Sequence, residues 1–463
     1  MERRAIRKNT SMIPFGLFHI NIACKMRFRL ITERSGLIVA FFLLSGLYVL
    51  NAQPVKFAQR KADGLYKNGE TIEFYALFDK TYRDSLNIVV LKNNKTELLS
   101  RAFVPETDSM LIYSGTFDMP CSVMLLARYK GGFGGIGSFV DPELVRPGMD
   151  TPSDFDRYWK SQKKALQKMN WNVTSVKVTG ANVPSGYLCD NVEINCPGPK
   201  PARGYYARPE GAAPGSLPAV LLVHAAGVKG SWCRSEVENA MRYAARGAIC
   251  FDLNAHGMLN SQPDDYYDQL EKGELKGYWN QGVGKRDDFY FRGMYLRLLR
   301  GIEFLALQPE WDGKRLIVIG ESQGGGQALA AAGLDKRVSH VVALVPAMCD
   351  WYGSASDRRG GWPQPVESNR ETSDDLKSSI PYFDAANLLR NSKAEIFVEI
   401  GFIDITCPPA SVYAAINMSK GRKTIMGVPY RAHHQPAAGT DLDRAWQEAY
   451  YKPREEFISN FLK

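Results

Sequence analysis

Residues 315–334 read RLIVIGESQGGGQALAAAGL. An apolar run, Leu316–Ile319, suits a buried strand, and QALAAAGL suits a helix. Between them lies Gly320-Glu321-Ser322-Gln323-Gly324, a G-x-S-x-G sequence. A strand turning sharply into a helix lifts a serine oxygen above the edge of a sheet, and the flanking glycines allow the tight backbone. The helix N-terminus then lies under the serine, where its dipole favours developing negative charge. Ser322 is therefore the candidate nucleophile, and an α/β-hydrolase fold is expected.

The rest of the C-terminal two thirds agrees with that reading. LPAVLLVHA (217–225), AICFDL (248–253), HVVALVPA (340–347), AEIFVEIG (394–401) and KTIMGV (423–428) read as buried strands. SEVENAMRYAARG (235–247) and FRGMYLRLLRGIEFLAL (291–307) read as helices between them. Repeated β–α–β units with continuous apolar strands predict a mostly parallel sheet covered by helices on both faces. In such sheets chemistry gathers at the carboxyl ends of the strands.

A serine hydroxyl needs a base, and the chain has six histidines. In this fold the chain order is serine, acid, histidine. His19 lies near the N-terminus, His224 and His256 precede Ser322, and His340 begins a strand at the wrong end of the sheet. His433 and His434 remain, in the loop after KTIMGV, and His433 is preferred. Asp404 follows the strand AEIFVEIG and is the expected acid; Asp384, a helix-cap candidate, and Asp350 are its rivals. The oxyanion hole is expected from the backbone N–H of Gln323 and from the loop His224-Ala225-Ala226-Gly227, with Ala226 as donor. His224, His256 and His434 are kept as possible pocket residues. No HxH or HExxH spacing exists, so no metal is expected, and no cofactor either.

From Val55 to Ser138 the pattern differs. TIEFYALFD (71–79), SLNIVVLKN (85–93), SMLIYSGTF (109–117) and SVMLLARYK (122–130) are short alternating or apolar runs separated by turn signals such as Lys92-Asn93-Asn94-Lys95. Five to seven strands in a small immunoglobulin-like sandwich are predicted. GGFGGIG (131–137) reads as a glycine-rich connection. The sandwich is read as a spacer, lid or accessory surface.

LIVAFFLLSGLYVL (37–50) is shorter than the roughly twenty residues a membrane span needs. With basic residues before it, it suits a signal-peptide core, with cleavage after Ala52. The formal net charge is +9, but eight Lys or Arg against two Glu precede Leu37, so about six of the nine positive charges belong to that leader. No nucleic-acid partner is indicated. The expected organisation is a leader over 1–52, a sandwich over 53–140 and a hydrolase domain over 141–463, in a secreted or periplasmic protein with no stable membrane span after cleavage. Eight scattered cysteines, seven without the leader, form no CxxC pair.

Several separated segments resemble carbohydrate esterase family 7, which contains acetyl xylan esterases and cephalosporin C deacetylases. They are TPSDFDRYW (151–159), the stretch from Arg286 to Asp335, VPAMCDW (345–351), PYFDAANL (381–388) and GFIDITCPPASVYAAIN (401–417). The resemblance runs from about Pro147 to the C-terminus. It implies removal of acetyl groups from sugar hydroxyls through an acyl-enzyme on Ser322, an acetylated carbohydrate as partner, and self-association into a homo-oligomer. The chain departs from the family pattern at three places. Asn254-Ala255-His256 stands for Arg-Gly-Gln, His433-His434 for His-Glu, and Ala226 for an oxyanion-loop tyrosine. A larger acyl group, a peptidase of related fold, or a non-catalytic carbohydrate-binding protein are the alternative readings.

Overall fold

The computed structural model describes residues 54–369 and 373–463; the leader and its cleavage point lie outside them. Eight strands come first: β1 (Val55–Gln59), β2 (Leu65–Tyr66), β3 (Thr71–Phe78), β4 (Leu86–Lys92), β5 (Thr96–Phe103), β6 (Ser109–Thr116), β7 (Cys121–Tyr129) and β8 (Gly132–Val140). They form a three-stranded sheet, β1-β3-β6, and a five-stranded sheet, β2-β8-β7-β4-β5. Alternation sets the inner faces. Ile72, Phe74, Ala76 and Phe78 of β3 meet Leu86, Ile88 and Val90 of β4 and Val123 and Leu125 of β7 in one core. Burying each of the larger side chains contributes about 1.5–3 kcal/mol, which is what holds two small sheets together.

The glycine-rich stretch read as a connection is in fact most of strand β8, paired with β7 from Gly132 to Val140. Its glycines allow close approach. A Cβ on Gly135 would lie 2.2 Å from the Leu125 carbonyl oxygen.

The second layer system is a nine-stranded sheet built from β9 (Val173–Lys177), β10 (Tyr187–Ile194), β11 (Ala202–Pro209), β12 (Leu217–Val223), β13 (Ile249–Asn254), β14 (Trp311–Glu321), β15 (His340–Leu344), β16 (Glu395–Gly401) and β17 (Lys423–Val428). Its order is β17-β16-β15-β14-β12-β13-β11-β10-β9. The six strands from β12 onward run parallel, and β9–β11 are antiparallel at one side. Successive residues serve opposite faces. Val318, Val341 and Val398 pack with the helices Tyr290–Ala306 and Gln323–Leu334 on one face. Ile317, Val342 and Phe397 pack with Val237–Ala244 and Lys452–Leu462 on the other. Both faces are covered, so these strands are apolar throughout. This is the α/β-hydrolase architecture, and it places the carboxyl ends of β12, β14, β15, β16 and β17 along one edge of the sheet.

Among the described residues no helix is long and apolar enough to cross a membrane. The seven cysteines from Cys121 onward are all buried and unpaired.

Candidate active site

Ser322 sits at the end of β14 with φ 55° and ψ −119°, a backbone conformation that side chains rarely adopt. The surroundings hold it there. Its N–H donates to Leu344 O on the neighbouring strand, and its carbonyl accepts from Gly326 N and Ala347 N. The glycines are required by contact. A Cβ on Gly320 would lie 2.4 Å from the Gly324 backbone, and one on Gly324 would lie 2.4 Å from Val223 O. The sharp elbow and the tight seating of the following helix thus need Gly320 and Gly324.

Three side chains meet at this elbow. His433 Nε2 lies 3.0 Å from Ser322 Oγ, and His433 Nδ1 lies 2.8 Å from Asp404 Oδ2. Asp404 is fully buried, in the turn after β16. Its other oxygen accepts from the amides of Thr406 (2.8 Å) and Cys407 (2.9 Å). The carboxylate is therefore aimed by its own turn. Burial opposes a charge on His433. The Asp404 carboxylate, by charge and hydrogen bond, outweighs it, Glu321 adds to the effect and Arg431 subtracts, so the imidazole pKa ends above its ordinary value.

The rival acids are engaged elsewhere. Asp384 caps the helix Ala385–Leu389 by accepting from Ala386 N, and also accepts from Asp350 N and Trp351 N. Asp350 pairs with Arg358 at 2.7 Å and accepts from Gly148 N. His340 packs on Phe457 and Phe461 at the amino end of β15. His434 is exposed beside His433, with ring centroids 5.6 Å apart.

Gln323 opens the helix that follows the serine, so its N–H has no intrahelical carbonyl to bind. Ala226 is half-buried in the loop after β12, and its carbonyl accepts from Trp232 Nε1. Tyr278 joins the two segments. Its hydroxyl donates to Gln323 Oε1 at 2.6 Å and is approached by the Gly227 amide. His256 supports the same loop from behind. Nε2 donates to Gly227 O at 2.9 Å, Nδ1 accepts from Tyr290 O–H at 2.6 Å, and the ring packs edge-on against Tyr278. Burial first, and then the charge of Arg297, push its pKa down to about 3, so it stays neutral and keeps this donor pattern. His224 pairs with Asp252, whose second oxygen accepts from Glu236 N.

Sequence reasoning missed a buried charge network. Arg431, two residues before His433, is fully buried and bonds Glu321 Oε1 at 2.9 Å and Glu399. Trp446 Nε1 donates to Glu399 at 2.5 Å. Glu321 (the residue before Ser322), the strand leading to Asp404 and the loop carrying His433 are thus tied to one guanidinium. Neither Arg431 nor Tyr278 falls in a motif, and each takes its role from partners more than thirty residues away. Among the described residues, the ligand-type side chains grouped closely enough for a metal ion are Asp404, Cys407 and His433, two of which already bond each other.

A family model described as acetyl xylan esterase (AXE1) matches residues 143–448. The acetyl esterase Axe7A of Xylanibacter ruminicola is 30% identical over 316 residues, covering 67% of this chain and 70% of that protein. Among solved structures, the acetyl xylan esterase from Paenibacillus sp. R4 superposes with a TM-score of 0.57 at 23% identity, over 70% of this chain and 98% of that one. Acetyl xylan esterase 1 from Thermoanaerobacterium sp. JW/SL YS485 gives 0.54 at 21% identity, over the same shares. At these identities the two structures speak to the fold, while the sequence matches speak to the family. The chain belongs to the acetyl xylan esterase family of α/β-hydrolases and is a carboxylic ester hydrolase.

Proposed function

We propose that this enzyme removes acetyl groups from acetylated carbohydrates, xylan or its oligosaccharides, with Ser322 as nucleophile, His433 as general base and Asp404 as the orienting acid. The observation that carries the site assignment is the unbroken hydrogen-bonded line from Ser322 Oγ through His433 to Asp404. In the reaction Ser322 Oγ attacks the acetyl carbonyl carbon while its proton passes to His433 Nε2. The N–H groups of Gln323 and Ala226 receive the developing oxyanion. Collapse breaks the bond to the sugar oxygen, which takes the proton from His433 and leaves acetyl-Ser322. Water, deprotonated by the same imidazole, then releases acetate. Trp232 and Trp279, 65% and 41% exposed, stand on the loops that hold Ala226 and Tyr278. Flat amphipathic rings of this kind suit the alternately apolar and hydroxylated faces of a sugar.

Acetate release from acetylated xylan, xylo-oligosaccharides and pectin, measured side by side, tests the substrate. With p-nitrophenyl esters, acetate is expected to exceed butyrate in kcat/KM by about 10-fold or more, the usual worth of extra methylenes in a closed pocket. Butyrate preference would replace acetyl by a larger acyl group, and turnover of peptide nitroanilides would favour a peptidase.

The pH profile follows from the imidazole. The base works only when neutral, and its pKa is raised above 6.5. Activity is therefore expected to be lost on acidification through a pKa higher than that of a free imidazole, and to be full above it. A kcat/KM profile flat down to pH 5 would remove His433 from the role of base.

The domain reading is a leader over 1–52, a sandwich over 53–140 and a hydrolase over 141–463, with export to the periplasm or beyond. Amino-terminal sequencing of the mature protein, expected to begin near Gln53, tests it.

A further inference from the structure

We infer that the N-terminal sandwich is a working part of the catalytic apparatus: it seats the turn that carries Asp404 and the loop that carries His433. The inference rests on the triad proposed above. The family match begins at residue 143, so the seat is made by residues that the match does not cover.

The sandwich has two buried faces. On β4, Leu86, Ile88 and Val90 point into its own core, whereas Val89 and Leu91 point outward. On β7, Met124 and Leu126 also point outward. These four, with Phe133 of β8, pack against Ile403, Ile405 and Ala432. Ile403 and Ile405 flank Asp404, and Ala432 precedes His433, so the immediate neighbours of both groups lie on the sandwich. Phe139 of β8 adds ring contacts to Phe402 and Tyr413, with centroids 6.1 and 4.8 Å apart.

Polar contacts fix the register. Gly137 N donates to Pro429 O, at the start of the His433 loop, at 2.8 Å. A Cβ on Gly137 would lie 2.5 Å from Phe402 O, so only glycine allows this approach. At the β4–β5 hairpin, Asn93 and Asn94 have φ of 54° and 56°, positive at both central positions as a tight hairpin turn demands. That turn projects Asn94 into the hydrolase. Its buried Nδ2 donates to the backbone carbonyl of Asp404 itself at 2.8 Å. Asn93 O accepts from Arg359 N, and Lys95 pairs with Asp357, which hold the turn in place. The carboxylate of Asp404 is therefore aimed from inside its turn by Thr406 and Cys407, and its backbone is held from outside by Asn94. Asn94 is a positioning residue: it reaches the reaction only through Asp404.

The test is Asn94→Gly in the full chain. Glycine accepts the positive φ better than asparagine does, so the hairpin keeps its conformation and only the amide is lost. The expected result is a fall in kcat of about 10- to 100-fold, the scale of a sub-ångström to ångström misplacement, with KM for p-nitrophenyl acetate little changed. The acid limb of kcat/KM should also move to lower pH, because a loosened Asp404 raises the imidazole pKa less. Asn94→Asp, which keeps size and turn preference but sets a carboxylate against the Asp404 carbonyl in place of the donor, should lower kcat as well; its added negative charge favours the imidazolium and should set its acid limb above that of Asn94→Gly, and thermal melting checks that both variants fold. Wild-type kcat in both folded variants, with an unmoved acid limb in Asn94→Gly, would overturn the inference. Activity that survives Ser322→Ala would instead overturn the triad reading, whatever the Asn94 variants do.

Discussion

Ser322→Ala is expected to lower kcat for p-nitrophenyl acetate by about 10⁶-fold, the scale of nucleophile loss in a serine hydrolase triad. The change removes one oxygen and little else. Ser322 donates its N–H to Leu344 O and accepts at its carbonyl from Gly326 and Ala347, and alanine keeps all three bonds. The strained φ of 55° remains as it was, because alanine and serine meet the same backbone penalty. His433 keeps its bond to Asp404 and loses only the Oγ contact. Thermal melting should therefore stay close to that of the parent while turnover vanishes. The residue left, about 10³–10⁴ over water in comparable mechanisms, comes from oxyanion donors and binding alone. A folded Ser322→Ala enzyme with a tenth or more of the parent rate would assign the nucleophile to another group.

How much of this could be read from residues alone follows from the range of each interaction. The elbow is local: strand, glycine, serine, glycine and helix are consecutive, and the same close contacts that demand Gly320 and Gly324 write themselves into the motif. His433 and Asp404 are distant from Ser322, yet each follows a strand, and the fold's strand order brings those carboxyl ends together. His256, a possible pocket residue by its place after a strand, bonds Gly227 O and so sits behind the loop. Tyr278, Arg431 and Glu399 carried no local signal, since their partners come from other elements. The sandwich, which its sequence presents as a spacer, lid or accessory surface, carries one further signal. The run SVMLLA in β7 is apolar without alternation, which is the mark of a strand buried on both faces. That one strand already implied a second packing partner beyond the sandwich core. The glycines of β8 give the pattern of a glycine-rich connection. Two of them, Gly135 and Gly137, are instead points where backbone meets backbone, at Leu125 and at Phe402.

Asp404→Asn is expected to lower kcat by about 10⁴-fold, and the surrounding amides explain why so small a change should cost so much. Asp404 presents two acceptors in two directions. Oδ1 takes the N–H groups of Thr406 and Cys407, and Oδ2 takes the His433 Nδ1–H. An asparagine has one carbonyl oxygen to divide between them. Two fixed backbone donors compete with one imidazole, and facing them with an NH₂ would leave both N–H groups unsatisfied in a fully buried site. The oxygen therefore stays with Thr406 and Cys407, and the NH₂ turns to His433 Nδ1. The imidazole answers with the other tautomer, carrying its proton on Nε2, where it donates to Ser322 Oγ instead of accepting from it. The loss of charge acts in the same direction: without the Asp404 carboxylate, burial is left to lower the imidazole pKa. The acid limb of the residual activity should then lie at lower pH than in the parent. A pH–rate profile of the purified variant, read beside a melting curve, measures both effects. A loss under tenfold would mean that the acid stands elsewhere, although Asp384 and Asp350 are committed to a helix cap and to Arg358. The amide orientation also separates this variant from Asn94→Gly, which leaves the carboxylate and the tautomer in place and disturbs only where they sit.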